Sequence, residues 1–105
     1  MILNEEKIEK GGAVIENLLH ESNNVIKTSY NYQTEQLFVT FHRGGVYNYN
    51  QVENDLYSEP KKAASVGTFI NAHIKPSHSV RHVGTAPEKI MQDLKDKIQT
   101  LKSAL

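Results

Sequence analysis

Side-chain character alternates with a period of two along residues 36–42, and this alternation constrains the fold more than any other feature of the chain. Its apolar positions Leu37, Val39 and Phe41 would lie together on one face of an extended strand. Such alternation is typical of a strand with one buried face. Residues 25–32 and 46–52 read as the neighbouring strands, joined to it by a polar turn and by a glycine pair. The sequence therefore predicts a three-stranded antiparallel meander.

The loop after residue 42 decides which face of this meander Tyr47 and Tyr49 occupy. A two-residue turn at 44–45 would pair His42 with Tyr47 and place both tyrosines opposite the apolar face. A three-residue loop at 43–45 would pair Phe41 with Tyr47 and gather both rings onto that face, because one register step exchanges the two faces. The second arrangement gives the better apolar face, so we interpret the tyrosines as core residues. The alternative is an exposed aromatic platform on which nucleic-acid bases stack.

Helices are predicted at both ends of the chain. Residues 4–22 carry apolar side chains at helical spacing, and the glycine pair at 11–12 would break or kink that helix. Residues 85–105 give the clearest helical pattern. There Thr85 and Glu88 match a capping box, in which each side chain binds a free backbone N–H of the first turn.

The region between the meander and the last helix is predicted to be short helices at 54–58 and 65–74, separated by a break at Pro60, followed by an irregular segment at 76–84. The predicted fold class is therefore α+β, a three-stranded antiparallel β-meander covered by short helices, with N- and C-terminal helical extensions. The corresponding units are an N-terminal helical extension (1–23), a central α+β domain (24–84) and a C-terminal amphipathic helix (85–105).

One stripe of the C-terminal helix is apolar, and it consists of Ile90, Met91, Leu94, Ile98, Leu101 and Leu105. Such a stripe either packs on the sheet of its own domain or pairs with a helix of another copy. The stripe lies beyond an irregular segment, so we expect a homo-oligomer through this helix.

Composition limits the functional classes. The 105 residues allow one domain, and the absence of cysteine excludes disulfides, thiolate nucleophiles and cysteine-ligated zinc. The acidic start and the lack of an apolar run of about 18 residues lead us to expect a cytoplasmic protein without a membrane span. Twelve basic and twelve acidic residues cancel, which argues against a protein that coats duplex DNA through net charge.

Residues 61–87 nevertheless contain no aspartate or glutamate. A neutral chain can still present one basic face, and local charge governs the attraction of phosphate. The plain alternative is a solvated surface on which acids happen to be scarce. The functional interpretation is a ligand-binding site for an anionic partner. Its candidate residues come from this segment and from the β-hairpin before it, and they are Arg43, Tyr47, Tyr49, Asn71, His73, Lys75, His78 and Arg81.

Catalytic and metal-binding patterns are not found in the sequence. His78 and His82 have the spacing of two ligands on one helical face, but Pro76 argues against a helix there and no nearby carboxylate supplies a third ligand. No triad order, phosphate-binding loop or dinucleotide fingerprint is present. We therefore expect no catalytic residues, no metal and no cofactor.

The stretch from about residue 24 to 75 resembles the KTSC domain, a module found at the C terminus of some lysyl-tRNA synthetases and as single-domain proteins of bacteria and phages. The matching residues are Tyr30, Leu37, Val39, Phe41, Gly45, Val46, Tyr47, Tyr49, Val52, Gly67, Phe69, Ile70, Asn71, His73, Ile74 and Lys75. The resemblance implies no settled activity, although RNA binding has been suggested for the family. We expect a non-enzymatic module that binds RNA or a nucleotide. The alternative is a protein-interaction or inhibitor module, such as a phage accessory protein that captures a host protein through its amphipathic helices.

Overall fold

A six-stranded antiparallel sheet dominates this structure, a computed structural model that describes residues 2–62, 70, 74 and 80–105. The strands follow one another across the sheet in chain order, and they are β1 (Ile2–Lys10), β2 (Ala13–His20), β3 (Val25–Asn31), β4 (Gln36–Phe41), β5 (Gly45–Tyr49) and β6 (Val80–Thr85). Two helices accompany them, α1 (Asn54–Lys62) and α2 (Glu88–Ser103). The α+β class and the antiparallel sheet are confirmed, but the predicted number of three strands is wrong.

The N-terminal segment is a β-hairpin, so the prediction of a helix at 4–22 is wrong. Gly11 and Gly12 form its two-residue turn with φ of +57° and +84°, the left-handed conformation that such tight hairpin turns require. Glu16, Leu18 and His20 alternate on the buried face of β2, with 1%, 1% and 2% of their surface exposed. Because two of these three residues are polar, the sequence conceals the period of two.

The central meander is confirmed, with one change of register. The loop between β4 and β5 comprises residues 42–44, where Gly44 has a φ of +98°. Tyr47 therefore pairs with Val39, and Tyr49 pairs with Leu37. The predicted partner Phe41 is wrong, but both tyrosines lie on the same face as the apolar residues of β4, as we interpreted.

The segment after the meander contains three differences from prediction. Helix α1 continues through Pro60, since the loss of one backbone hydrogen bond does not end it. Part of the segment predicted to be irregular forms β6, and Thr85 pairs with Gly45 at its end. Thr85 is therefore a strand residue and not a helix cap, and α2 begins after Pro87 without a side-chain cap. The helix predicted at 65–74 lies outside the described residues except for two positions.

Two apolar clusters cover opposite faces of the sheet. On the first face, Tyr57 of α1 stacks on Tyr30 of β3, with ring centroids 3.9 Å apart. The other buried members of this cluster are Leu18, Val25, Leu37, Val39, Tyr49, Val52, Ile70 and Ile74. On the second face, α2 packs its apolar stripe on β2 and β3. Each fully buried aliphatic side chain in such a cluster contributes about 1.5–3 kcal/mol.

The apolar stripe of α2 thus covers the sheet of its own chain. Met91 and Ile98 are buried against Leu19 and Ile26, and other stripe residues pack around them. This is the first of the two alternatives for the stripe, and assembly through α2 stays a prediction. Neither described helix is long and apolar enough to cross a membrane.

Candidate functional site

The tip of the β4–β5 hairpin, residues 42–44, separates two cavities. His42 and Arg43 line both of them, so these two side chains form a shared wall. Backbone hydrogen bonds to the segments before β3 and after β6 fix the tip on both sides. The His42 amide donates to the Asn24 carbonyl (2.8 Å), and the Ala86 amide donates to the Gly44 carbonyl (2.8 Å). The backbone thereby fixes where the Arg43 side chain begins.

The larger cavity, of about 600 Å³, is a cationic groove between this tip and the first turns of α2. Arg43, Lys89 and Lys95 line it, and Glu88 is the one carboxylate among its described lining residues. The other described lining residues are His42, Gly44, Thr85, Ala86, Met91 and Gln92. Residues 88, 91, 92 and 95 recur at intervals of three and four, which places them on one face of the helix. The positive end of the α2 dipole faces the same region.

The cations of the groove are not neutralised within the described part of the chain. The one ion pair between described residues joins Lys7 Nζ to Glu16 Oε2 at 3.9 Å, on the other face of the sheet from α2. Arg43 is exposed, and so are Lys89 and Lys95. Their charge is therefore available to an anion.

The smaller cavity, of about 350 Å³, is an aromatic pocket on the first face of the sheet. Its described lining residues are Asn24, Phe41, His42, Arg43, Gly45, Tyr47, Tyr49 and Val80. Phe41 and Tyr47 meet edge to face with centroids 5.5 Å apart, and the Tyr47 ring also lies 4.9 Å from the ring of His82. Tyr49 is buried at the base, and burial raises its pKa above the ordinary value.

The orientation of the His42 ring follows from its hydrogen bond. Nε2 lies 2.8 Å from the carbonyl oxygen of Ser22. A carbonyl oxygen only accepts, so Nε2 carries the proton and donates. In this tautomer Nδ1 of the ring is left as a hydrogen-bond acceptor.

Away from the hairpin tip, a cluster of tyrosines surrounds the buried carboxylate of Glu16. The Tyr57 hydroxyl donates to Glu16 Oε1 at 2.7 Å and the Tyr32 hydroxyl does so at 3.1 Å. Burial, followed by the hydrogen bond to Glu16, raises the pKa of Tyr57 far above its ordinary value. Burial, followed by the charge of Glu16, raises the pKa of Tyr32 to about 12. Both phenols stay protonated at neutral pH and so remain hydrogen-bond donors to Glu16, and the bond from Tyr57 links α1 to β2.

His20 is a second buried titratable group, on β2. Its Nε2 lies 2.7 Å from the hydroxyl oxygen of Thr28 on the next strand. Burial lowers the pKa of His20 from 6.5 to about 4, because the charged ring would lose its hydration. His20 is therefore a neutral hydrogen-bonding residue of the core at physiological pH.

The structure brings together three of the residues predicted for the site. Arg43, Tyr47 and Tyr49 line the aromatic pocket, and Arg43 also lines the cationic groove. Arg81 is exposed on β6, where its register partner is Asn48, and it lines neither cavity. The remaining predicted residues, Asn71, His73, Lys75 and His78, lie outside the described residues. Among the described residues no group of three histidine or acidic side chains is placed to hold a metal ion.

Sequence reasoning missed Lys89, Lys95, Asn24 and Val80. The two lysines belong to a helix that we had treated as a separate extension, and Val80 belongs to a segment predicted to be irregular. The pairing of β6 with β5 carries the start of α2 to the hairpin tip. No local pattern in the sequence predicts that β6 pairs with β5.

The comparisons with known proteins agree with the fold. The model of the KTSC domain family matches residues 21–78, over half of the chain. The structure is similar to the crystal structure of a KTSC domain protein from Yersinia pestis, with a TM-score of 0.62 and 23% sequence identity over 67% of this chain and 99% of that one. At this identity the likeness shows the fold alone. No curated protein matches the chain. The matched range contains His42 and Arg43 but not the lysines of α2, and it establishes that this chain belongs to the KTSC domain family.

Proposed function

We propose that this protein is a non-enzymatic binding module that holds the phosphate of an RNA or a nucleotide in the cationic groove. The observation that carries the proposal is the convergence of Arg43 with Lys89 and Lys95 on one cavity. The hairpin is part of the sheet and the helix packs on that sheet, so the backbone positions of the three cations are fixed before a ligand arrives. Only their exposed side chains remain to be ordered on binding.

The groove offers a phosphate two kinds of contact, a bidentate hydrogen bond from arginine and the point charge of lysine. Arg43 carries a planar guanidinium, which can bind two phosphate oxygens at once, whereas the two lysines act as compact point charges. The free backbone N–H groups at the start of α2 add to the positive potential. A chain with zero net charge can thus attract a phosphate at one place without coating nucleic acid in general.

The proposal is limited to binding, because the groove is lined by cations that suit a phosphate, and it includes no reaction. The RNA binding suggested for the KTSC family is consistent with this proposal and is not independent support for it.

The test is fluorescence anisotropy with a labelled single-stranded RNA of mixed sequence, repeated over a salt series. The double variant Lys89→Glu/Lys95→Glu should weaken binding about tenfold or more and flatten the salt dependence, because each lost phosphate contact removes about 0.7 from the slope of log K against log salt. The matched control is Lys97→Glu/Lys102→Glu, which changes the net charge by the same amount at two exposed residues of the same helix that do not line the groove.

The outcomes separate the groove from overall charge. If Lys97→Glu/Lys102→Glu binds within about twofold of wild type while the groove variant loses affinity, the groove holds the phosphate. Equal losses would show that net charge and not this cavity governs binding. Binding that does not respond to salt would show that phosphate is not the group recognised, and the proposal would fail.

A further inference from the structure

The aromatic pocket and the cationic groove share one wall, made by His42 and Arg43. A ligand that passes over this wall would place one part in each cavity. We propose that the aromatic pocket receives the base of a nucleotide whose phosphate lies in the cationic groove. This inference rests on the proposed function and names its ligand class: a nucleotide with an unstacked base, either free or within a single strand.

The size and lining of the pocket suit a flat apolar ring. Its volume of about 350 Å³ lies near the lower end of the range for small-molecule sites. Phe41 and Tyr47 present aromatic surface to it, and Val80, which is 43% exposed, bounds it from β6. Aromatic side chains hold bases by stacking, which favours a base of any type because every base has a π-face.

Asn24 gives this pocket a polar group that can face the edge of a base. Its carbonyl oxygen is tied to the hairpin through the amide of His42, and its own amide N–H lies 3.3 Å from the Ser22 hydroxyl. The side chain of Asn24 makes no hydrogen bond to another described residue. A side-chain amide offers both a donor and an acceptor, the combination that the hydrogen-bonding edges of bases require.

One cavity is lined by aromatic side chains and the other by cations, and this pair of linings favours a nucleotide over a simple anion. Inorganic phosphate would occupy the groove and leave the aromatic pocket unused. A nucleotide uses both cavities, with Arg43 placed where the sugar-phosphate would cross between them, and a guanidinium can contact phosphate or lie flat against a ring. Duplex nucleic acid would not bind in this way, because its bases are stacked within the helix and cannot enter the pocket.

Calorimetric titration with AMP and with ribose 5-phosphate, which lacks the base, tests the inference at low salt. AMP should bind about tenfold more tightly, since stacking in the pocket adds to a phosphate contact that both ligands share. In Val80→Trp the indole should fill the pocket and abolish that preference without changing the affinity for ribose 5-phosphate. The matched control is Val83→Trp, which alters an equally exposed valine of the same strand that does not line the pocket, and it should keep the preference.

Each result has one meaning. Equal affinities of wild type for AMP and ribose 5-phosphate would overturn the base pocket and leave the phosphate groove standing. Binding of neither ligand would remove the phosphate proposal and this inference with it. Equal effects of the two tryptophan variants would place the base elsewhere. Should Val80→Trp not fold, Asn24→Leu changes an exposed side chain of similar size and should lower the AMP preference, and an unchanged preference there would count against the pocket.

Discussion

Replacing both glycines of the N-terminal hairpin turn by alanine should destabilise the protein. Gly11 and Gly12 have φ of +57° and +84°, where a side chain clashes with its own backbone at a cost of about 1–2 kcal/mol per residue. An added Cβ would meet nothing within 4 Å at either position, so the cost is purely conformational. Alanine also restricts the unfolded chain, which returns about 0.4–1 kcal/mol per site. The net loss for Gly11→Ala/Gly12→Ala is therefore about 2 kcal/mol.

The sign of this effect distinguishes the hairpin from the helix that the sequence suggests. In a helix interior each glycine is less favourable than alanine by about 1 kcal/mol, so the same double variant would be more stable by about 2 kcal/mol. For a domain of this size, a loss of 2 kcal/mol lowers the melting temperature by about 8–16 °C. A hairpin at this position predicts a lower melting temperature for the double variant, and a helix predicts a higher one.

Urea unfolding followed by far-UV circular dichroism measures the free-energy difference. Gly11→Asn is the first control, because asparagine tolerates the left-handed conformation and should cost little. Gly84→Ala is the second, because Gly84 has an ordinary φ and open space around it, so its change should stay within about 0.5 kcal/mol. A double variant as stable as wild type, or more stable, would refute the hairpin.

Three further predictions concern stability and use the same unfolding assay. Unfolded His20 takes up a proton near pH 6.5 and the folded residue only near pH 4, so stability should fall by up to about 3 kcal/mol as the pH drops through that interval. His20→Gln should make this pH dependence shallower, and an unchanged slope would contradict the assignment. Tyr57→Phe should cost about 1.5–3 kcal/mol, because it removes a short hydrogen bond to a buried carboxylate. Tyr32→Phe removes a longer bond and should cost less, so the reverse order would argue against this geometry. Ile98→Glu should unfold the protein while Ile90→Glu, at a half-exposed site of the same helix, should not; equal effects would mean that α2 does not pack as described.

The central strands were predictable because their side chains obey one simple rule. Leu37 and Val39 are both buried and apolar on one face of β4, so their spacing reports the strand directly. The face of Tyr47 followed from the same rule. Its exact partner did not, because the loop is displaced by one residue and the left-handed position falls on Gly44.

The flanking strands were not predictable from the same rule, since two of the three buried residues on one face of β2 are polar. Glu16 accepts a hydrogen bond from the Tyr57 hydroxyl, 41 residues further along the chain, and His20 pairs with the Thr28 hydroxyl of the next strand. A local pattern cannot report partners of this kind. In β6 the side chains of Val80 and Val83 are both exposed, and an irregularity opposite Val46–Tyr47 breaks the alternation.

The candidate site was predictable in its chemistry more than in its location. Arg43 was identified from the charge of the hairpin, and the structure places it on both cavities. The lysines that join it were overlooked because the pairing that delivers α2 to the hairpin is long-range. Contacts of that kind arise from tertiary packing, which short sequence windows do not contain.

The packing of α2 on the sheet predicts how a fragment truncated to the family match, residues 21–78, would behave. Ile26 lies inside the matched range, yet Leu19, Met91 and Ile98, which bury it, all lie outside that range. A fragment cut at residues 21 and 78 would keep the β4–β5 hairpin but would expose one face of the sheet to water. Such a fragment should aggregate and be poorly soluble, because its apolar patch is exposed. If the fragment failed to bind a ligand, the cause would be the loss of α2, and the result would not apply to the intact chain.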